Sequence, residues 1–169
     1  MRPPGATLVS RGLLTTLLVA AVLSIGPGAR AAAPARDEAA ILEAVFRQQI
    51  REFLDETARR QGMVICLGLD PGRAPQSVSR EFLARFRREP AVRRGAECEA
   101  RPPGAVERVT GAPAVMVTAG PIERLADDEA WVRVTHFRDR LHSGVRTYRV
   151  VLEADGWVCL GPILHQAGS

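Results

Sequence analysis

Residues 144–163 read GVRTYRVVLEADGWVCLGPI and decide the fold more than any other stretch of the chain. Apolar and polar side chains alternate on both sides of Asp155-Gly156, a dipeptide that favours a two-residue hairpin turn. The stretch therefore predicts a β-hairpin with strands at 145–153 and 157–164.

The pairing across this hairpin can be tested for consistency with a core. With Asp155-Gly156 as the turn, Leu152 opposes Cys159 and Tyr148 opposes Ile163. One face is then nearly all apolar, which is the pattern of a face that packs on a core. That face carries Tyr148, Val150, Leu152, Trp157, Cys159 and Ile163.

Upstream, residues 39–58 place apolar side chains at steps of three and four, which predicts a long amphipathic helix that ends at Gly62. The apolar run 63–69 predicts a buried strand. Ser77 can cap a short second helix that continues to about Arg88.

Two further strands, 114–125 and 131–137, precede the hairpin and complete a four-stranded meander, and a short strand within 91–99 ends near Cys98. The predicted fold class is therefore α+β. The long N-terminal helix and the short second helix pack on a curved antiparallel sheet.

The first 31 residues have the order of a signal peptide. A basic start leads into the uncharged apolar run 13–25, and Ala29-Arg30-Ala31 forms a small-x-small cleavage site. The run is too short for a permanent membrane span, which needs about 20 apolar residues. We expect a signal peptide at 1–31, a tether at 32–36 and a single domain at 37–169, periplasmic or secreted, with no membrane span after cleavage.

All 23 basic residues are arginine, and the formal net charge is +4. Loss of the signal segment brings the mature chain close to neutrality, and its composition lacks the basic and aromatic pattern of a nucleic-acid binder. A local basic excess remains in the arginine-rich segment 73–101. Arg85, Arg87 and Arg88 in that segment are candidate contacts to an anionic surface, although interspersed glutamates also fit an ordinary solvated face.

Three cysteines in an exported chain predict one disulfide and one remaining thiol, with three possible pairings. Cys159 falls on the apolar face of the hairpin, whereas Cys66 points away from the apolar side of its strand and Cys98 lies in a polar segment. Cys66–Cys98 is therefore the favoured disulfide.

Reactive constellations are weak in this sequence. His136 shares a strand face with apolar residues and is the candidate general base if that face lines a pocket, though it lacks an identifiable partner. Trp131 is a candidate binding residue. The spacing of His136, His142 and His165 is too wide for a zinc site, so we expect no metal and no cofactor.

The tail of residues 144–163, together with VICLGL, AECEA and GPIERL further upstream, resembles small exported bacterial α+β proteins of uncharacterised function. The overall arrangement is similar to NTF2-like and cystatin-like domains. This resemblance implies a helix packed in a curved sheet, and it implies no particular chemistry.

Three functions remain open from the sequence. The favoured expectation is a non-enzymatic domain that binds a protein partner or small ligand in the cell envelope. The alternatives are a pocket enzyme of NTF2-like type with His136 as base, and an anionic-surface binder that uses the arginine-rich segment 73–101. Whether the chain is an enzyme stays uncertain, leaning to no.

Overall fold

A computed structural model describes residues 32–70 and 75–163, and the predicted signal peptide lies outside them. The helices in this part of the chain are α1 (Ala32–Phe53), α2 (Glu56–Arg60) and α3 (Arg80–Leu83). The strands are β1 (Val64–Leu69), β2 (Gln76–Ser77), β3 (Val92–Arg94), β4 (Cys98–Arg101), β5 (Gly104–Glu107), β6 (Ala114–Ala126), β7 (Glu129–Phe137), β8 (Ser143–Glu153) and β9 (Gly156–Pro162).

The fold is mixed α+β, with few helices and a sheet that contains most of the described strands. The order β2-β1-β6-β7-β8-β9 runs across the sheet, and β3 pairs with β1. The strands β6 to β9 form an antiparallel meander. The prediction of a wholly antiparallel sheet is wrong, because β1 runs parallel to both β3 and β6. The chain from β2 to β5 supplies the long crossover that parallel pairing requires.

The helix predicted at 39–58 is interrupted. It ends at Phe53, and α2 begins at Glu56 after the N-cap Asp55, whose carboxylate accepts a hydrogen bond from the Ala58 amide at 2.7 Å. Asp favours such a cap because its side chain replaces a missing intrahelical partner. At its other end α1 is helical from Ala32 and so includes residues 32–36, which the sequence assigns to a tether.

The second helix also differs from its prediction. Ser77 belongs to β2, and the capping serine is Ser79, whose hydroxyl accepts from the Phe82 amide at 3.0 Å. The helix α3 is a single turn, and a 3-10 turn at Ala84–Phe86 follows it. Both serines fit the capping rule, so the rule alone cannot choose between them.

The hairpin register is shifted by two residues from the predicted one. Leu152 pairs with Trp157 and Val150 with Cys159, so the turn residues are Ala154 and Asp155. A shift of two keeps every side chain on its face, because side chains alternate with a period of two. A bulge at Leu160 then brings Pro162, rather than Ile163, opposite Tyr148.

Alternate side chains of β1 and β6 point to two different apolar clusters. Ile65, Leu67, Val115 and Val117 belong to the main core, together with α1 residues such as Phe46. We call this side of the two strands the helix face. We call the opposite side the hairpin face, because the hairpin of β4 and β5 packs on it. It carries a second cluster made of Val64, Cys66, Cys98, Ala105 and Ala114, with Ala112, Met116 and Phe137 packed against it.

The strands β4 and β5 form a separate antiparallel ribbon, in which Ala100 pairs with Ala105. Cys66 of β1 and Cys98 of β4 lie at disulfide-bonding distance, with their Cα atoms 6.3 Å apart. The disulfide therefore links the ribbon to the sheet. No helix within the described ranges has the length and apolar character to cross a bilayer.

Candidate functional site

An apolar pocket of about 680 Å³ opens on the hairpin side of the molecule. Its wall comes from the β4–β5 ribbon, the start of β6 and the connection between β7 and β8. Ala105 and Ala114 belong to both the wall and the second cluster, so the pocket floor continues into a packed apolar layer. The lining residues are Pro102, Pro103, Gly104, Ala105, Val106, Gly111, Pro113, Ala114, Arg138, Asp139, Arg140 and Leu141.

Backbone contacts hold the three walls of this apolar pocket together. The Ala105 amide donates to the Arg138 carbonyl at 2.6 Å, and Val106 forms an isolated bridge with Pro113. Gly104 bridges Asp139, and a Cβ at Gly104 would lie 2.5 Å from the Arg138 carbonyl oxygen. Glycine is thus required for this close approach of two backbone segments.

The pocket rim carries charge. Asp139 accepts hydrogen bonds from the amides of Leu141 and His142, each at 2.9 Å, and its Oδ1 lies 2.8 Å from His142 Nδ1. The hydrogen bond from His142 and those from the two amides lower the pKa of Asp139, so its carboxylate stays ionised near neutral pH. Arg138 Nε lies 3.9 Å from Asp139 Oδ2.

Apolar surface also reaches this rim. Leu141 is 89 % exposed, although transfer of a leucine side chain out of water is favourable. The sequence patterns did not predict the apolar pocket. The sequence does contain one sign of this pocket: prolines, alanines and glycines occupy loops in which polar residues are usual.

A second groove, of about 510 Å³, lies in the arginine-rich segment, and we call it the arginine groove. Two of its arginines are already paired, because one carboxylate, Glu43, accepts from Arg47 at 2.7 Å and from Arg85 at 2.6 Å. Burial alone would raise the pKa of Glu43, but the hydrogen bonds from Arg85 and Arg47 outweigh it and hold the pKa below its usual range.

The other two predicted arginine contacts differ from Arg85. Arg87 and Arg88 are exposed, line the arginine groove, and have no ion-pair partner among residues 32–70 and 75–163. Arg85 also lies over the Phe82 ring, at 5.9 Å from its centroid. Among the described residues, the arginines of this groove that have no ion-pair partner are therefore Arg87 and Arg88.

His136 is half-buried at the helix face of β7, where its ring lies 5.0 Å from that of Phe53. Burial lowers the pKa of His136 and the nearby Arg146 adds to this effect, while Glu52 acts in the opposite direction. His136 has no hydrogen-bond partner in the part of the chain that the structure describes. The neighbouring residues on the same face, Val132 and Val134, are fully buried in the main core.

The carboxylate that sequence reasoning could not place near His136 is Glu52 of α1. Its Oε2 accepts from Tyr148 Oη at 3.1 Å and lies 3.6 Å from Arg146 Nη1, and its Oε1 accepts from Gln48 at 2.9 Å. These partners make Glu52 part of a structural polar network between the helix and the sheet. Gln49 beside it is completely buried, and its Oε1 is left without a hydrogen-bond partner in the described residues.

Trp131, the other predicted binding residue, lies on the side of β7 opposite to Ala130 and Val132. It pairs with Glu123 on one side and with Arg149 on the other. The side chain is half-buried, and its Nε1 has no partner among the described residues. Trp131 is not among the residues that line the apolar pocket or the arginine groove.

The remaining candidate chemistry concerns cysteine and metal. Cys159 is free and half-buried, and burial raises the pKa of its thiol, which disfavours the reactive thiolate. Within 32–70 and 75–163 no group of three or more His, Cys, Asp or Glu residues is arranged to hold a metal ion. His165 lies outside these ranges.

The geometry therefore offers an apolar pocket with a charged rim, a groove with two arginines unpaired among the described residues, and a structural polar network around Glu52 to which His136 makes no hydrogen bond. Comparisons of the chain with protein-family models, with curated proteins and with solved structures found no match.

Proposed function

We propose that this chain is an exported, non-enzymatic domain of the cell envelope that binds a small ligand in its apolar pocket. One observation carries the proposal: an open pocket of about 680 Å³, walled mainly by proline, alanine, valine and leucine, with a few charged groups at its rim. Ligand sites in proteins commonly have this volume and this mixture of apolar wall and sparse polar groups.

The charged groups of the pocket support binding rather than catalysis. Its titratable lining residue, Asp139, already accepts hydrogen bonds from two amides and contacts His142, so it has little basicity to offer a substrate. Its other charged residues are arginines, which remain protonated at any physiological pH. Such a site can hold a ligand and orient it.

The exported location is part of the same proposal. Disulfides persist in oxidising compartments, and the proximity of Cys66 and Cys98 supports such a location. The predicted signal peptide at 1–31 adds a sequence argument for the periplasm or the outside of the cell. Under this proposal the resident ligand is one available in the envelope.

We also propose an NTF2-like or cystatin-like arrangement, in which a long amphipathic helix packs in a curved sheet. Its support is the packing of Ile41, Val45 and Phe46 of α1 against Val115 and Val117 of β6 in one core. The side chains of the helix and of these strands pack on one another in that core. The ligand site that we propose therefore lies on the hairpin face of the sheet and not beneath the helix.

The binding proposal can be tested with Nile red, an uncharged apolar dye whose fluorescence rises on leaving water. We expect saturable binding by the native protein and a loss of about tenfold in affinity in Leu141→Asn, from the removal of one apolar side chain at the rim. Leu160→Asn is the matched control, because Leu160 is 54 % exposed on β9 and lies outside the pocket. Equal dye affinity in both variants would overturn the proposal.

A second candidate function is binding to an anionic surface, and the two unpaired arginines, Arg87 and Arg88, favour it. We expect Arg87→Ala combined with Arg88→Ala to reduce salt-sensitive retention on anionic vesicles severalfold. Arg85→Ala serves as the comparison, because Arg85 is already paired with Glu43. Retention that stays unchanged in the double variant removes this candidate.

The alternative of a pocket enzyme with His136 as base has weaker support. The His136 ring lies against Phe53, and His136 is not among the residues that line the apolar pocket or the arginine groove. The carboxylate of the polar network, Glu52, is engaged with Tyr148 and Arg146. A catalytic activity that is lost in a folded His136→Ala protein would support the enzyme alternative.

A further inference from the structure

We infer that the apolar pocket takes an amphiphile with a single negative head, such as a fatty acid, whose tail lies on the pocket wall and whose carboxylate meets Arg140 and Arg138. The inference rests on the proposed function, since it names the ligand class of the same pocket.

The wall offers a ligand little to hydrogen-bond. Pro102, Pro103 and Pro113 lack an amide hydrogen. The Ala105 amide is already donated to the Arg138 carbonyl. Polar groups of a ligand buried against this wall would lose their hydrogen bonds to water without replacement, whereas an alkyl chain loses nothing. The wall therefore selects an apolar tail.

The rim carries an unused positive charge. Arg140 lines the pocket and has no hydrogen-bond or ion-pair partner in the described part of the chain, whereas Arg138 lies near Asp139 at 3.9 Å. Two guanidinium groups and one carboxylate thus line this rim, and the local charge is positive. A guanidinium presents paired donors that match the two oxygens of a carboxylate.

The Asp139 carboxylate does not compete strongly with a ligand for these arginines. Its Oδ1 accepts from the amides of Leu141 and His142, and both of its oxygens lie within 3.0 Å of His142 Nδ1. These contacts fix Asp139 to its own loop. Arg140 remains the group free to turn toward an incoming head, and it sits beside the exposed apolar side chain of Leu141.

Three probes separate the contributions of head and tail. We would measure, by displacement of Nile red, the binding of dodecanoate, dodecan-1-ol and acetate to the full mature chain. We expect dodecanoate to bind at least fivefold more tightly than dodecan-1-ol, and acetate to show no displacement. The Arg138→Ala/Arg140→Ala double variant should lose the preference for dodecanoate and keep its affinity for dodecan-1-ol.

Arg133→Ala is the matched control, because Arg133 is an exposed arginine of β7 outside the pocket lining. Equal binding of dodecanoate and dodecan-1-ol by the native protein would overturn the amphiphile inference and leave the apolar pocket intact. A dodecanoate preference that survives in the double arginine variant would overturn it as well. Absence of binding by both long-chain probes and by the dye would overturn the proposed function itself.

Discussion

The two faces of β1 and β6 are covered in different ways. On the helix face, α1 packs on Ile65, Leu67, Val115 and Val117 and completes a core whose members are almost all inaccessible to water. On the hairpin face, a short two-stranded ribbon packs on β1 and β6 in a cluster of five buried residues, two of which are the disulfide cysteines. The same two strands thus support one extensive layer and one small layer.

The difference shows where a binding site can form in a small domain. The helix face gains its stability from continuous apolar packing. On the hairpin face, a covalent link and close backbone contacts hold the ribbon in addition to a small apolar cluster. The incomplete cover of this face leaves the apolar pocket open, and the predictions below test this division.

The largest expected effect is on the helix face. Phe46 is completely buried and meets the rings of Phe82 and Phe86 at centroid distances of 5.9 and 6.4 Å. Phe46→Ala should lower the free energy of unfolding by about 3–5 kcal/mol, because it leaves a large cavity. Met116→Ala on the hairpin face should cost about 1–2 kcal/mol, because this side chain is only half-buried. Urea denaturation measures both, and equal losses would contradict the division.

Removing the disulfide should have the next largest effect. Cys66→Ala/Cys98→Ala opens a loop with a sequence separation of 32 residues, and the chain-entropy estimate for that loop is about 3–4 kcal/mol. We also expect weaker dye binding, because the ribbon forms part of the pocket wall. Cys159→Ala is the control, with an expected change below about 1 kcal/mol. A double variant as stable as the native protein would show that packing alone holds the ribbon.

Gly104→Ala probes the close approach of the ribbon to the β7–β8 connection. The added methyl group would meet the Arg138 carbonyl oxygen, so the two segments must separate, at a cost of about 1–3 kcal/mol. Dye affinity should fall along with the thermal midpoint. Ala100→Ser on the same ribbon is exposed and should change neither quantity.

The smallest expected effect is a pH dependence on the helix face. Burial holds the pKa of His136 below its ordinary value of 6.5. The unfolded chain therefore takes up a proton at a pH where the folded protein does not. The stability that this neutral histidine contributes is present above pH 6.5 and is lost as the pH falls through 6.5 toward the lower pKa of the folded state.

The measurement is the free energy of unfolding at several pH values between about 7 and 5.5, the range that follows from the direction of this shift. His136→Gln should flatten the decline in that range. His142→Gln, at the exposed rim of the pocket, should leave the His136 contribution in place. A slope that is the same in the native protein and in His136→Gln would show that His136 is equally solvated in both states.

Local patterns predicted the parts of the fold that depend on neighbouring residues. Alternation placed Tyr148, Val150, Trp157 and Cys159 on the core side, and the structure packs all four against the main core. The opposite directions of Cys66 and its neighbours predicted the Cys66–Cys98 pair, and the two cysteines do lie at disulfide distance. These features follow from the side-chain period of a strand, which a short window of sequence contains.

These local patterns could not predict which strands pair with each other or how the loops meet. Nothing local in β1 states that it pairs in parallel with β6, because a strand buried on both faces reads the same with any partner. The apolar pocket depends on three loops that meet through backbone contacts, as at Gly104 and Asp139, and its wall residues have no reactive groups. The Glu52 network was missed because Glu52 lies on a helix far from Tyr148 in the sequence.

The parallel pairing of β1 also sets an order of events for the growing or translocating chain. Ile65 finds its first parallel neighbour at Val92 of β3, and its central one only at Val115 of β6. Contacts between distant segments form slowly, because a long loop must close first. Cys98 arrives after β3 and before β6, so oxidation of the two thiols can fasten β1 to β4 while the centre of the sheet is still incomplete.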